Sequence, residues 1–377
     1  MNEGEFQEFE VEAMLSRFEQ TVNYNYSESG VHPARLDEII TQDQLQEIYH
    51  TELNYPEVNG NRALRRRIAA LHDGASEDNV LVTVGAAEAN YLLVNTLISK
   101  GDHIAVMSPY YRQVWGIAKN IGANISTFRL RHEEGWSLDI DELEGAVSKD
   151  TKLIAVCNPN NPTGYILSEP EMDAIVAVAK KSGAWLLADE VYAGAERESN
   201  VRTPSFYGRY DKVVALNSLS KAYGLPGLRT GWAVGPADIL DRMWRRHEYT
   251  TISSTMLGNK LAEIVLSPPV HAKIIARTRK LIRAGYPILE QFIGDHAEVL
   301  SVVPPQASAM SFIRYDLDIG SLDLVERLRK DKGVLVIPGD HFGVEKHIRL
   351  SYALDPEYLR AGFLRIAETI DEIQRGK

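Results

Sequence analysis

A largely parallel α/β sheet with helices on both faces, joined to a smaller α+β unit, is the fold this sequence predicts. Three observations predict it. From about residue 80, short β-rich runs alternate with longer helical ones, the pattern of a buried parallel sheet. The polar residues that interrupt this pattern fall at the carboxyl ends of the predicted strands, where such sheets bind ligands. The chain has 377 residues, too many for one small core and enough for two domains.

The elements follow in order. Residues 80–84 form an apolar run that stops at Gly85 and read as a strand. Residues 86–99 read as a helix, ended by Lys100-Gly101-Asp102. Residues 104–107 are the next strand, followed by Ser108-Pro109 and a helix through Gly116 to Asn120. Residues 125–130 are a strand and 139–147 a helix. Residues 153–157 form a strand, 169–182 a helix and 185–188 a strand. Two further strands are predicted at 213–217 and 232–234. Pro236-Ala237-Asp238 opens a helix that runs past Arg245. Pro268-Pro269 is read as a break before a basic helix over 271–283. Strands at 310–315, 334–337 and 348–352, with helices at 322–330 and 356–374, compose the smaller unit. The predicted boundaries are 41–265 for the large domain, with 1–40 and 266–377 forming the small domain and an N-terminal lid segment.

Composition excludes several function classes. Hydrophobic residues make up 44% and charged residues 25%, which fits an ordinary globular protein. The net charge of −11 gives no electrostatic drive toward nucleic acid or anionic lipid. No run of 18 apolar residues occurs, so no transmembrane helix is expected. The acidic stretch 1–12 lacks the basic and apolar segments of a signal peptide. Cys157 is the only cysteine, which rules out an intramolecular disulfide and suits a reducing, cytoplasmic setting. Inside the apolar run 153–157 it reads as a small core residue. Metal-ligand spacing, Gly-x-Gly-x-x-Gly and Gly-Lys-Ser/Thr loops are all absent.

Four motifs carry chemistry. In Ser218-Leu219-Ser220-Lys221, a lysine follows a strand end, and Arg229 comes eight residues later. A lysine withdrawn from water can attack a carbonyl, and an arginine fork suits phosphate. Alone, such a lysine is as readily a surface residue on a turn. Asp189-Glu190-Val191-Tyr192 follows the strand 185–188. Its aspartate could pair with a protonated ring nitrogen, or simply cap a helix. Asn158-Pro159-Asn160-Asn161-Pro162-Thr163-Gly164 makes a tight turn that could also present Asn161. Thr83-Val84-Gly85-Ala86-Ala87 places small residues where a strand meets a helix, so that an anion could reach the helix amides.

The order and spacing of these motifs over roughly residues 50–370 resemble the fold-type I enzymes dependent on pyridoxal 5′-phosphate (PLP), specifically the class I/II aminotransferases. The resemblance implies that Lys221 forms the Schiff base with PLP and moves the substrate proton. It implies Asp189 as partner of the pyridinium nitrogen, and Asn161 and Tyr192 as partners of the ring oxygen. Ser218, Arg229 and the amides of Ala86 and Ala87 correspond to phosphate ligands, and Tyr111 to the aromatic stacked on the ring. Tyr55 is similar to the tyrosine that reaches the neighbouring subunit's phosphate, which implies a homodimer with shared sites. Arg349 is similar to the arginine that clamps the substrate carboxylate, assisted by Asn161. The implied reaction moves an amino group between an amino acid and a 2-oxo acid.

One region departs from the family pattern. The lid reads Tyr26-Ser27-Glu28-Ser29-Gly30-Val31-His32-Pro33 where many relatives carry Gly-x-Pro. Gly30 is expected to keep a backbone contact to substrate. Glu28 is expected to be exposed in a mobile lid; facing the site, it would favour a cationic substrate side chain. Ser29-Gly30-Val31-His32 is also similar to PLP enzymes that cyclise hydroxylated arginine (capreomycidine synthase-like), which leaves elimination, replacement or cyclisation as the alternative reaction. No arginine occurs in 249–259 to receive a second substrate carboxylate. A PLP-sensing regulator is disfavoured, since no basic helix-turn-helix precedes residue 40.

Overall fold

The computed structural model describes residues 6–376. The first five residues of the acidic N-terminal stretch, and Lys377 at the predicted end of the small domain, lie outside the described residues.

The chain opens with helix α1 (Glu10–Phe18), the short strand β1 (Tyr24–Asn25), α2 (Gln42–Tyr49) and α3 (Arg62–Ala69). The alternating region then begins with β2 (Val80–Thr83), α4 (Gly85–Leu97), β3 (His103–Ser108), α5 (Gln113–Ile121) and β4 (Asn124–Arg129). It continues through α6 (Ile140–Ala146), β5 (Thr151–Cys157), α7 (Glu169–Ser182), β6 (Trp185–Asp189), β7 (Val213–Ser218) and β8 (Gly231–Val234). Among the described residues these strands form one seven-stranded sheet, ordered β2-β8-β7-β6-β5-β3-β4. Only β8 in it runs against its neighbours. The central strands are apolar on both faces: all of β7 is buried, and all of β6 beyond Trp185. That is why they read as continuous hydrophobic runs rather than alternating ones.

The carboxy-terminal part comprises α8 (Ala237–His247), α9 (Met256–Val265), α10 (Pro268–Asp295), β9 (Leu300–Val302) and β10 (Met310–Tyr315). It ends with α11 (Ser321–Lys332), β11 (Val334–Leu335), β12 (Ile337–Pro338), β13 (His347–Ser351) and α12 (Pro356–Gln374). Strands β12-β13-β10-β9 make an antiparallel sheet. Strand β1 pairs in parallel with β11, which ties the N-terminal segment to this end of the molecule.

Two expectations are corrected. Pro268-Pro269 does not break the chain but begins α10, after Ser267 at the N-cap. Proline is tolerated there because the first helical amides have no partner to lose. The helix also continues through Pro287 to Asp295, well beyond the expected end at 283. The single strand expected over 334–337 is instead two short strands, which pair with β1 and β13. No helix among the described residues is long and apolar enough to cross a membrane.

Candidate active site

Strands β5, β6 and β7 run parallel and in register, with Cys157 beside Asp189 and Asp189 beside Leu216. Their carboxyl ends therefore open together into one cavity of about 370 Å³, within the range of a small-molecule site. Lys221 and Asp189 line it, with Asn161, Tyr192 and Tyr111. So do Ala86, Ala87, Ser218, Arg229 and Arg349. Ten of the residues singled out in the sequence thus meet at one place, although they span the chain from 86 to 349.

Asp189 sits at the end of β6, 4% exposed. It accepts a hydrogen bond from the Val191 amide (3.3 Å), and the Asn90 side chain also bonds to it. Burial pushes its carboxyl up to about 6, because desolvation disfavours the charge. Among the described residues no side-chain cation bonds to it. A buried carboxylate without a cation suits a protonated ring nitrogen.

At the start of α4, small residues meet a cation. Gly85 opens α4 with φ +77°. A Cβ there would fall 2.6 Å from Nη2 of Arg229, and one at Gly231 would fall 2.4 Å from the Ala86 amide nitrogen. Both glycines are what lets the guanidinium lie against the helix N-terminus. A cation and unpaired helix amides side by side call for an anion. Ser218 Oγ, which accepts from the Ser220 amide at 3.2 Å, stands beside them. These residues fit the phosphate of PLP.

On the opposite side, a chain of bonds links Tyr192 and Asn161 to Arg349. Asn161 Nδ2 donates to Tyr192 Oη (3.1 Å), and Tyr192 donates to Ser29 Oγ (3.0 Å). Arg349 Nη1 donates to Asn161 Oδ1 (3.1 Å), and Nη2 donates to the Ser27 carbonyl. Arg349 is buried, and its Nε has no protein partner. Burial lowers its proton affinity, while Tyr192 and Glu28 act in the opposite direction. A buried arginine with an open donor fits a ligand carboxylate.

Lys221 Nζ donates to Glu28 Oε1 at 2.7 Å. The expectation of an outward Glu28 is thereby corrected. The amides of Ser29 (2.7 Å) and Gly30 (2.9 Å) also donate to Oε1 and turn the side chain inward. The charge of Lys221 holds the Glu28 carboxyl well below the usual carboxylate range. Gly30 itself does not line the cavity. Its amide donates to Glu28, and its Cα lies close to the backbone before the lysine. A Cβ at Gly30 would lie 3.2 Å from the Ser220 carbonyl oxygen. Tyr55 lies outside the cavity of its own chain and is 79% exposed.

Sequence reasoning missed a wall of the site. Helix α1 brings Glu12 and Leu15 to the cavity, with Phe9 before it and Glu19 at its C-cap. Tyr111 Oη donates to Glu12 Oε1 at 2.5 Å, and the Phe9 ring meets Tyr111 edge-on at 4.8 Å. The signal was present in the spacing of Val11, Met14, Leu15 and Phe18, one helical face. Asn90 and Gln113 were also missed; they bond to each other at 3.1 Å beside Asp189. Cys157 is a buried thiol pushed up by desolvation, a core residue as expected.

Comparison with known proteins agrees with this geometry. The family model described as "Aminotransferase class I and II" matches residues 22–366. The chain is 30% identical over 322 residues to a capreomycidine synthase of Streptomyces vinaceus, covering 84% of this chain and 81% of that one. It is 27% identical to an arginine–pyruvate transaminase of Pseudomonas aeruginosa, covering 87% and 85%. Among solved structures, a PLP-dependent aminotransferase from Streptococcus suis superimposes with a TM-score of 0.91 at 29% identity, over 98% of both chains.

Proposed function

This chain belongs to the class I and II aminotransferases, PLP-dependent enzymes that move an amino group between an amino acid and a 2-oxo acid, and we propose that it does so through Lys221. The observation that carries the assignment is the buried Asp189, hydrogen-bonded to no side-chain cation among the described residues, in the cavity that Lys221 lines. When bound, PLP supplies an electrophilic carbon for the amine and a ring that draws electrons from the substrate Cα.

The remaining roles belong to the protein. Lys221 anchors the cofactor and then carries the proton at the substrate Cα. Asp189 keeps the ring nitrogen protonated, and Asn161 and Tyr192 hold the ring oxygen. Ser218, Arg229 and the amides of Ala86 and Ala87 hold the phosphate, and Tyr111 covers the ring face. Arg349, with Asn161, clamps the substrate carboxylate and so orients Cα. We assign residues 41–265 to a cofactor domain, and 1–40 with 266–377 to a smaller domain that carries Arg349. The working unit in this reading is a homodimer, with Tyr55 completing the partner's phosphate site. Its support is the exposed apolar set Tyr49, Leu53, Tyr55 and Tyr249. The single cysteine suits a reducing compartment, and on that ground the enzyme is assigned to the cytoplasm.

The test is chemical trapping. Borohydride treatment of the PLP-loaded protein should add the cofactor's mass to the peptide containing Lys221, and Lys221→Ala should abolish the label. A label that maps to another lysine would overturn the assignment. A second reading, elimination or cyclisation on an arginine-like amino acid, is favoured by the 30% identity to capreomycidine synthase. Turnover separates elimination from transamination. Transamination stops at one 2-oxo acid per site until an acceptor is added, whereas elimination continues without one and releases ammonia.

A further inference from the structure

Three cations line the cavity among the described residues: Lys221, Arg229 and Arg349. Each already has an assignment, to the anchor, the phosphate and the substrate α-carboxylate. None of these three is left for a carboxylate on the substrate side chain within this chain's own lining. The acids are more numerous than the cofactor needs. Beside Asp189, the cavity is lined by Glu12, Glu19 and Glu28.

Glu28 is held for a purpose other than solubility. All three of its hydrogen bonds go to Oε1, from two backbone amides and from Lys221. Among the described residues Oε2 has no hydrogen bond. The partner cation is also temporary, because Lys221 must give up its proton to act as a base at Cα. At that moment Glu28 keeps its two amides and loses its counter-charge. Its side chain is 44% exposed, so a second cation can reach it and take the place of the first. Arg349, nine-tenths buried and with an unpartnered Nε, marks where the α-carboxylate of that ligand sits. Glu28 and Glu12 line the same cavity as this guanidinium.

We propose that Glu28, with Glu12 from α1 lining the same cavity, selects an amino acid whose side chain ends in a cation, guanidinium or ammonium. This inference rests on the assignment of Lys221 and Arg349 above, and makes Glu28 a specificity-determining residue of that site. The free Oε2 offers an acceptor, and the carboxylate matches a guanidinium fork or a lysine-type ammonium. A neutral side chain of the same shape would leave Glu28 without its cation. A side-chain carboxylate would meet three glutamates.

The experiment compares isosteres on the PLP-loaded enzyme. Arginine is paired with citrulline and lysine with 2-aminoheptanoate, and kcat/KM is measured for formation of the 2-oxo acid. Binding is read separately with 5-guanidinopentanoate and 5-ureidopentanoate, which lack the α-amine and cannot react, by the shift they cause in the cofactor's visible absorbance. The cationic member of at least one pair is expected to be favoured by ten- to a hundredfold, on the order of a charged hydrogen bond. In Glu28→Gln the ratio should collapse to a few-fold, in binding as in turnover. Equal use of both members by the native enzyme would overturn the inference, and so would an unchanged ratio in Glu28→Gln. If the lysine-linked cofactor absorbance is missing from the native protein, the Lys221 assignment itself fails. If it is present without charge selectivity, only the Glu28 inference fails.

Discussion

Burial holds the Asp189 carboxyl at about 6, against 3.8 for the free group. The folded protein without cofactor therefore binds this proton more tightly than the unfolded chain does. The sign follows: Asp189 favours folding below about pH 4, and that contribution disappears as pH rises through about 6. Above that, the empty protein carries a buried charge whose burden is on the order of 3 kcal/mol. Asp189→Asn keeps an acceptor for the Val191 amide and removes the charge. In the cofactor-free protein at pH 7.5 it should raise Tm by a few degrees, a gain that narrows toward pH 5. It should also weaken cofactor retention through gel filtration. A cofactor-free variant that melts below the native protein at pH 7.5 would contradict this account. Asp189 was legible in the sequence because a charged residue directly after an apolar strand needs a reason. Glu28 was not, because what turns it inward is two backbone amides, and a one-dimensional reading does not place amides.

At the scale of elements, the junction of β8 with the start of α4 controls the phosphate end. Gly231 pairs with Thr83 in one direction and with Ser218 in the other. A methyl group there would run into the Ala86 amide at 2.4 Å. Gly231→Ala should push α4 away from Arg229 and loosen PLP by tenfold or more, since phosphate binding depends on both. Equilibrium dialysis would read the change, and unchanged affinity would show that the cradle is built otherwise. The central strands were legible from their continuous apolar runs. The short pairings β1–β11 and β12–β13 were not, because two residues carry no periodicity. Helix α1 fell between these cases: its apolar face is regular, but its acidic composition masked it.

The whole molecule presents a question of partnership. Tyr55 is exposed, yet its loop is fixed: Lys260 Nζ on α9 donates to Thr51 Oγ1 at 2.8 Å. Tyr249 stands 93% exposed, and Tyr49 and Leu53 nearly as much. In the proposed homodimer these exposed side chains would be covered by the partner. Sedimentation at micromolar concentration should give twice the chain mass of 42.2 kDa. Tyr55→Phe should leave that mass intact while reducing cofactor retention. A monomer with full activity would exclude the shared site. This feature was legible only through resemblance, since no single chain contains its own partner.

Helix α10 has a consequence at the same scale. Its 28 residues make a rod of about 42 Å. Thr278 donates to the carbonyl of Ala222, the neighbour of Lys221, at 2.7 Å. Two turns further on, Gly285 lies so close to Tyr352 that any side chain would overlap its carbonyl oxygen. Tyr352 stands three residues beyond Arg349. One helix therefore braces both the turn that carries Lys221 and the strand end that follows Arg349. The gauge is set by helical rise, which does not stretch. In the proposed enzyme that spacing separates the cofactor anchor from the carboxylate clamp, and the side chain is left for other walls to judge.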